Sequence, residues 1–355
     1  MFYRPALPIP AETLLRCNSQ FSREAWRIGM RHDQREANQL RPLSIEFPFL
    51  TDDVTLVRCG DTAATATVTC DLVEPSPFRP KHGFLEFHVR QLLHERDSLE
   101  KPKEIKKISW FLERLFKNNV LDPEGLCVLP GRKVWSLSVD ILIVNDDGNT
   151  LDVAEWSAIT ALQHFRRPEI TIRGDNITVH SPHERDPVPL SLHYIPVSCS
   201  YAVTTGVDTA QLHHRAAESV LAVSADPTGT GGDAKGKGAS APKENELLLV
   251  VDPSLEEEAA AASKVVVAVN AEGVVCALEK YKGCDVTWPI LNECIQITNR
   301  LVPRILDEMK TAMAEHEVRR KEAFKEQFLW AQQRTGVHKL GDDGPHAKAV
   351  RNELS

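Results

Sequence analysis

Twice along this chain a series of short alternating strands gives way to a helix, and that recurrence limits the fold more than any single motif does. Leu43 to Phe47 alternates, and Thr65 to Val73 places Ala66, Val68, Cys70 and Leu72 on one face with threonines and Asp71 on the other. That is the period of a half-buried antiparallel strand. Phe84 to Val89 predicts a further strand after the proline-rich turn Pro75 to Pro80, and a helix follows from about Lys103 to Asn118. Lys133 to Val144 alternates again, turning Trp135, Leu137, Val139, Ile141 and Ile143 inward. A second helix begins near Asn149 and buries Leu151, Ala154, Ala158, Ile159, Leu162 and Phe165. Ile170-Thr-Ile172 and Ile177-Thr-Val179 read as a hairpin turned through Gly174-Asp175-Asn176. The second half repeats the scheme with strands at Ser191 to Val203, Glu246 to Val251, Lys264 to Asn270 and Val274 to Leu278, then a long helix from about Trp288 to Arg334. Strands followed by helices, twice over, predict an α+β fold of duplicated β-α units, with mixed sheets packed against helices and a long C-terminal helical region.

The organisation expected from these patterns has four parts. Residues 1–30 form an N-terminal helical segment, with Leu14, Leu15, Phe21, Ala25 and Ile28 at helical spacing. Residues 31–190 make the first domain and 191–310 the second. An insertion at about 224–245, rich in Gly, Ala, Ser and Lys, interrupts the second and lacks the apolar residues to join a core. Its Thr228-Gly-Thr-Gly-Gly232 run has no preceding strand and no Gly-Lys-Thr ending, so it reads as a linker and not as a phosphate loop. Residues 311–355 hold the end of the long helix and a glycine-containing tail.

Composition narrows the function classes. A net charge of -8 excludes coating nucleic acid by bulk charge, so any such contact must be local. No apolar stretch approaches the roughly 20 residues of a membrane span, and the first residues lack the apolar core of a secretory signal. A soluble, intracellular protein is expected. The eight cysteines contain no C-x-x-C pair and sit in apolar contexts, which reads as reduced core thiols with no metal or cofactor implied.

Three clusters carry candidate chemistry. On the helix from Lys103, an apolar face of Ile105, Ile108, Phe111, Leu112 and Leu115 leaves Lys103, Lys107, Trp110, Arg114 and Lys117 stacked in a separate stripe. Cations around an aromatic ring suit single-stranded nucleic acid, and the same pattern also fits an ordinary solvated helix face. Asp146-Asp-Gly-Asn-Thr-Leu-Asp152 joins a strand to a helix, with Asn149 as N-cap. The start of such a helix attracts anions, although no cation lies in this turn. Finally, Val250-Val-Asp-Pro-Ser-Leu-Glu-Glu-Glu258 delivers four carboxylates at the end of an apolar strand. Asp252 as N-cap with Pro253 in the first turn explains the run structurally, and acids of a catalytic site explain it chemically.

Several motifs together resemble the RNase PH-like subunits of the RNA exosome. They are Arg31-His-Asp-Gln-Arg35, Arg41-Pro-Leu-Ser-Ile-Glu-Phe47, Val54-Thr-Leu-Val-Arg-Cys-Gly-Asp-Thr62 and Phe78-Arg-Pro-Lys-His-Gly83. Lys133 to Asp140, Asp147-Gly-Asn149, His164-Phe-Arg-Arg-Pro168 and Glu184 to Ser191 are similar to its non-catalytic branch. The likeness runs from about Ala11 to Arg304. It implies an RNase PH-like fold and a structural, RNA-guiding role in 3'-to-5' RNA processing and degradation, rRNA processing included. It also implies a six-membered hetero-oligomeric ring in the nucleus, nucleolus and cytoplasm. The partners so implied are a catalytic-type RNase PH-like neighbour, the other ring subunits, KH- and OB-type cap proteins, exosome-associated nucleases and single-stranded RNA.

The same resemblance tests for activity. Phosphorolytic members place a Ser-Arg pair at the start of the second helix to hold phosphate, where this chain has Asn149 and Thr150. Their two aspartates six apart correspond here to Asp252 and Glu258. These four positions are expected to be vestigial and the chain not to be an enzyme; the alternative is an active phosphate-dependent 3' exoribonuclease. The resemblance assigns Arg114 to RNA contact, and Lys107, Lys103, Arg79 and Trp110 join it by charge and position. Arg166 and Arg167 either contact RNA or brace a subunit interface.

Overall fold

The computed structural model describes residues 21–23, 25–26, 30–48, 54–92, 101–174, 176–181, 184–205, 247–281 and 283–334. Residues 21–23 and 25–26 are helical; the rest of the expected N-terminal helix, the 224–245 insertion and the tail after Arg334 lie outside the described residues. Met1–Met309 form one compact unit and Lys310–Ser355 a second.

The first sheet is built from β1 (Leu43–Glu46), β2 (Val54–Cys59), β3 (Thr62–Val73), β4 (Phe84–Gln91), β5 (Cys127–Leu129) and β6 (Lys133–Asn145), in the order β1-β2-β3-β6-β4 with β5 alongside β6. All neighbours are antiparallel except β4, which runs parallel to β6 at the edge. The alternation predicted for β6 is realised, since Trp135, Leu137, Val139, Ile141 and Ile143 are all buried. Helix α1 (Lys101–Asn119) covers this sheet with Ile108, Phe111, Leu112 and Leu115, which leaves its cationic side to solvent.

Helix α2 (Thr150–His164) is buried on every side from Leu151 to Leu162. It touches β2 and β3 on one flank and β11 (Val197–Thr205) on the other, so no face is left for water. A helix so placed must satisfy its polar groups internally. Trp156 donates from Nε1 to the Ser198 carbonyl (3.1 Å), and Asp152 accepts from the Ser200 N–H (2.6 Å) and the Ser198 hydroxyl (2.9 Å). Glu155 accepts from the Ser198 N–H (3.2 Å) with no cation beside it, and burial pushes its carboxyl well above the usual range. It is held neutral.

Two small ladders follow α2. β7 (Arg166–Arg167) pairs with β10 (Val188–Pro189), and β8 (Ile170–Arg173) pairs with β9 (Asn176–Val179) as the expected hairpin. The second sheet has the order β12-β11-β13-β14, with β12 at Leu247–Val251, β13 at Ser263–Val269 and β14 at Val275–Tyr281, all antiparallel. The strand expected from Ser191 starts only at Val197, because Pro196 has no N–H for a ladder; before it Leu192 makes an isolated bridge to Leu121. Along β11, Ser198 and Ser200 meet α2, whereas the Tyr201 hydroxyl donates to the Cys294 carbonyl (2.9 Å) on α4 (Trp288–Arg334). Alternation therefore feeds two helices from one strand. One continuous core unites both halves of the chain, from Val57 through Trp156 and Tyr201 to Met309. No helix among the described residues is long and apolar enough to cross a membrane.

Candidate functional site

Two strand ends converge where α2 begins. β6 runs into Asp146-Asp147-Gly148-Asn149, and β12 runs into Asp252-Pro253-Ser254 ahead of the short helix α3 (Leu255–Ala260). The two turns are in direct contact. Gly148 has φ +80°, and a Cβ there would lie 2.4 Å from the Leu255 nitrogen, so only glycine lets them approach; the Leu255 N–H donates to the Asp147 carbonyl (3.1 Å).

Asp252 is wholly buried in a left-handed backbone conformation (φ 49°). Arg41 grips its carboxylate with two guanidinium nitrogens, Nε to Oδ2 (3.0 Å) and Nη2 to Oδ1 (2.8 Å), and adds its own backbone N–H (2.9 Å). Arg35 adds a fourth nitrogen (3.0 Å) and the Asn149 amide a fifth (2.7 Å). Burial opposes ionisation, but the Arg41 guanidinium outweighs it and brings the carboxyl down to about 2. Beside it, Arg31 holds Glu257 through Nε (2.9 Å) and Nη2 (2.6 Å) and donates to the Val251 and Asp252 carbonyls (3.0 Å each). Three arginines thus tie residues 31–41 to the end of β12.

This geometry corrects two expected caps. Asp252 does not cap α3, because its carboxylate is fully engaged by Arg35, Arg41 and Asn149. Ser254 does, with Glu257 completing a capping box, so Pro253 precedes the cap and does not occupy the first turn. Asn149 stands at the N-cap of α2 with φ 56°, yet its side chain makes no capping bond; it reaches Asp252.

Glu258 takes over that end of α2. Its Oε1 accepts from the Asn149 N–H (2.9 Å) and from Lys264 Nζ (2.7 Å), the lysine arriving from β13. Burial works against the Lys264 ammonium, but Glu258 more than offsets it and raises the group above its ordinary value. A cavity of about 140 Å³ opens here, walled by Lys107, Thr150, Glu258, Ser263, Lys264 and Tyr281. The turn itself holds no cation, as its composition indicates, but the fold brings Lys107 and Lys264 to it from α1 and β13.

The remaining candidates separate into three places. Lys107 belongs to the cavity, and Lys103, Trp110 and Arg114 extend from it along the exposed side of α1. Arg79 lies instead in a groove of about 360 Å³ with His82 and Lys117. Arg166 and Arg167 are half-buried in the β7-β10 ladder. Arg31, Arg35, Arg41 and Lys264 have site roles that motif spacing does not disclose. The available signal is three arginines within residues 31–41, against two acids, Asp33 and Glu36.

Residues 39–168 match domain 1 of the 3' exoribonuclease family of RNase PH type, and residues 243–299 match domain 2. Together these cover more than half of the chain. The chain belongs to the RNase PH family. Its relatives include "Exosome complex component RRP45" of Bos taurus, 29% identical over 92% of this chain and 67% of that protein. The Homo sapiens protein of the same name is 29% identical over 88% of this chain and 63% of its own length. The chain thus spans about two thirds of the length of these mammalian relatives. "Exosome complex component RRP45A" of Arabidopsis thaliana is 29% identical over 79% of this chain and 81% of that protein. Among solved structures, the fold is shared with "Archaeal exosome core" (TM-score 0.61, 19% identity, 85% of this chain and all of that one). It is shared too with an Archaeoglobus fulgidus exosome "with RNA bound to the active site" (TM-score 0.62, 18% identity, 83% of this chain and 99% of that one). Within this family fold, Thr150 and Glu258 line the cavity, while Asn149 joins the two acids from behind it, its N–H on Glu258 and its side chain on the buried Asp252.

Proposed function

We propose that this chain is a non-catalytic, structural and RNA-guiding subunit of the RNase PH-like ring of the RNA exosome, of the type of the polymyositis/scleroderma autoantigen subunit. The relatives named RRP45 support the ring-subunit part of this reading. The observation that carries the non-catalytic part is the placement of Glu258. Its carboxylate occupies the N-terminal N–H of α2 and pairs with Lys264, so the place where a phosphate would bind is filled by the protein's own anion. A second anion brought there meets a like charge, and neither Asn149 nor Thr150 carries the positive charge of the arginine found in phosphorolytic members. Asp252, ionised and enclosed by arginines, has neither a proton to donate nor access to a leaving group.

In this reading the chain pairs with a catalytic-type RNase PH-like neighbour in the six-membered ring, under KH- and OB-type cap proteins. It passes single-stranded RNA along Lys103, Lys107, Trp110 and Arg114 of α1, with Arg79 on a separate path, in the nucleus, nucleolus and cytoplasm. The C-terminal helical region is the docking element for associated nucleases. The rival reading, an active phosphate-dependent 3' exoribonuclease, rests on Lys107 and Lys264, which supply positive charge to the cavity. Radiolabelled RNA incubated with the purified chain and inorganic phosphate separates the two. No nucleoside diphosphate is expected; release that disappears in Asp252→Ala sinks the non-catalytic reading. Copurification with a tagged chain tests the ring, and the absence of RNase PH-like companions counts against it.

A further inference from the structure

A tryptophan on the solvated side of a helix contributes little to folding, yet Trp110 is 55% exposed while α1 buries Ile108, Phe111, Leu112 and Leu115 beneath it. The indole is nevertheless not loose. Arg114, one turn on, sets its guanidinium 5.2 Å from the ring centroid. Glu279 on β14 holds that guanidinium at 2.6 Å, with a side chain only 17% exposed. A strand carboxylate therefore fixes an arginine, and the arginine braces one face of an indole. More than half of the tryptophan stays open to solvent, and Lys107 and Lys103 lie one and two turns back on the same stripe.

We propose that Trp110 is a nucleobase-stacking platform for single-stranded RNA, with Arg114 as its positioning residue and Glu279 as the anchor of both. This rests on the RNA-guiding reading and changes the part Arg114 plays in it. A guanidinium engaged by Glu279 and stacked on indole is a brace for the ring, while the phosphates fall to Lys107 and Lys103. The chemistry that fits the open face is planar and uncharged with anions on its flank, and a base on its ribose phosphate is such a group. Stacking of this kind accepts any base, as a guiding surface requires. The cations are local in a chain of net charge -8, so they mark this face and not the whole surface.

The test uses the full-length chain, a fluorescent oligouridylate and the same oligomer with abasic positions, titrated over a range of salt. Trp110→Ala is expected to weaken the base-bearing oligomer about 5- to 150-fold with little change in salt slope, and Trp110→Phe to retain most of the affinity. The abasic oligomer is expected to bind wild type and Trp110→Ala alike. Lys107→Ala should weaken both oligomers and lower the salt slope by about one. Glu279→Gln, which frees Arg114, should narrow the preference for base-bearing over abasic RNA; Arg114→Lys, which keeps the charge and loses the planar brace, should do the same. If Trp110→Ala binds both oligomers as wild type does while Lys107→Ala still weakens them, stacking is refuted and charge guidance stands. If wild type binds neither oligomer, both readings fall. If Trp110→Ala leaves RNA binding intact but detaches a copurifying protein, the indole is a protein contact and the proposal is overturned.

Discussion

Asp252 and Glu258 leave the same strand end six residues apart, and the fold treats them in opposite ways. Asp252 is sealed inside, bound by Arg35, Arg41 and Asn149 and brought down to about 2 by them against the cost of burial. Glu258 reaches a cavity wall with about a quarter of its side chain exposed, where Lys264 and the Asn149 N–H share one of its oxygens. One acid is part of the frame and the other part of a cavity wall. The difference shows that the partners a fold supplies, and not the carboxylate itself, set what an acid at a strand end can do: Asp252 is ionised and enclosed, whereas Glu258 faces a cavity.

The largest effect expected from breaking this contrast is on stability. Asp252→Ala strips the counter-charge from two arginines inside the protein and should cost about 3–5 kcal/mol. A urea midpoint that stays put would show that Asp252 does not hold the junction. Asp252→Asn, which keeps the shape, should fall between the two.

Acid is the next lever. With a folded value of about 2 against an ordinary 3.8, Asp252 binds fewer protons folded than unfolded between those limits. Its contribution, about 2 kcal/mol, is therefore complete above pH 3.8 and lost as pH falls toward 2. Urea midpoints measured from pH 5 to pH 2.5 should drop more steeply for wild type than for Asp252→Asn, and equal slopes would remove Asp252 from the account.

Glu258→Gln sharpens the other half. Loss of a partly exposed ion pair and of an anion at a helix start should cost no more than about 1 kcal/mol. It also removes the negative charge from that wall, leaving Lys264 and the Asn149 N–H to an added anion. Inorganic phosphate should then raise the melting temperature of the variant and not that of wild type; a wild-type shift of equal size would mean that Glu258 does not close the site. The smallest expected change is at Arg114. Its pair with Glu279 is half open to water, so Arg114→Ala should alter stability by about 0.5 kcal/mol or less in a urea titration. A much larger loss would make it a structural residue first.

Much of this was legible along the chain because it depends on local periodicity. The period-two pattern of β6 names its buried residues, the apolar stripe of α1 names Ile108, Phe111, Leu112 and Leu115 but includes the half-buried Ile105 and omits the buried Phe116, and the long helix spans Trp288–Arg334 as expected. The start of β11 was misplaced because Ser191 to Pro196 continues the alternation, and ladder formation depends on backbone donors and not on side-chain pattern. The caps were misassigned for a different reason. Asp252 and Asn149 each suit a cap, but partners from distant segments claim their side chains first. Arg166 and Arg167 show the same limit: the ladder with Val188 and Pro189 fixes their backbone and leaves their role to a partner.

The sequence by itself determined the α+β repeat, the family, and the four positions, Asn149, Thr150, Asp252 and Glu258, that the resemblance singles out. Only the tertiary structure decided what those positions do. The pairs that matter, Arg41 with Asp252, Arg31 with Glu257 and Arg114 with Glu279, join segments far apart in the chain, and even the Lys264 that meets Glu258 lies across a turn from it. Hydrophobic periodicity is written residue by residue along each element, whereas the meaning of a charge depends on which opposite charge the packed core brings within about 3 Å.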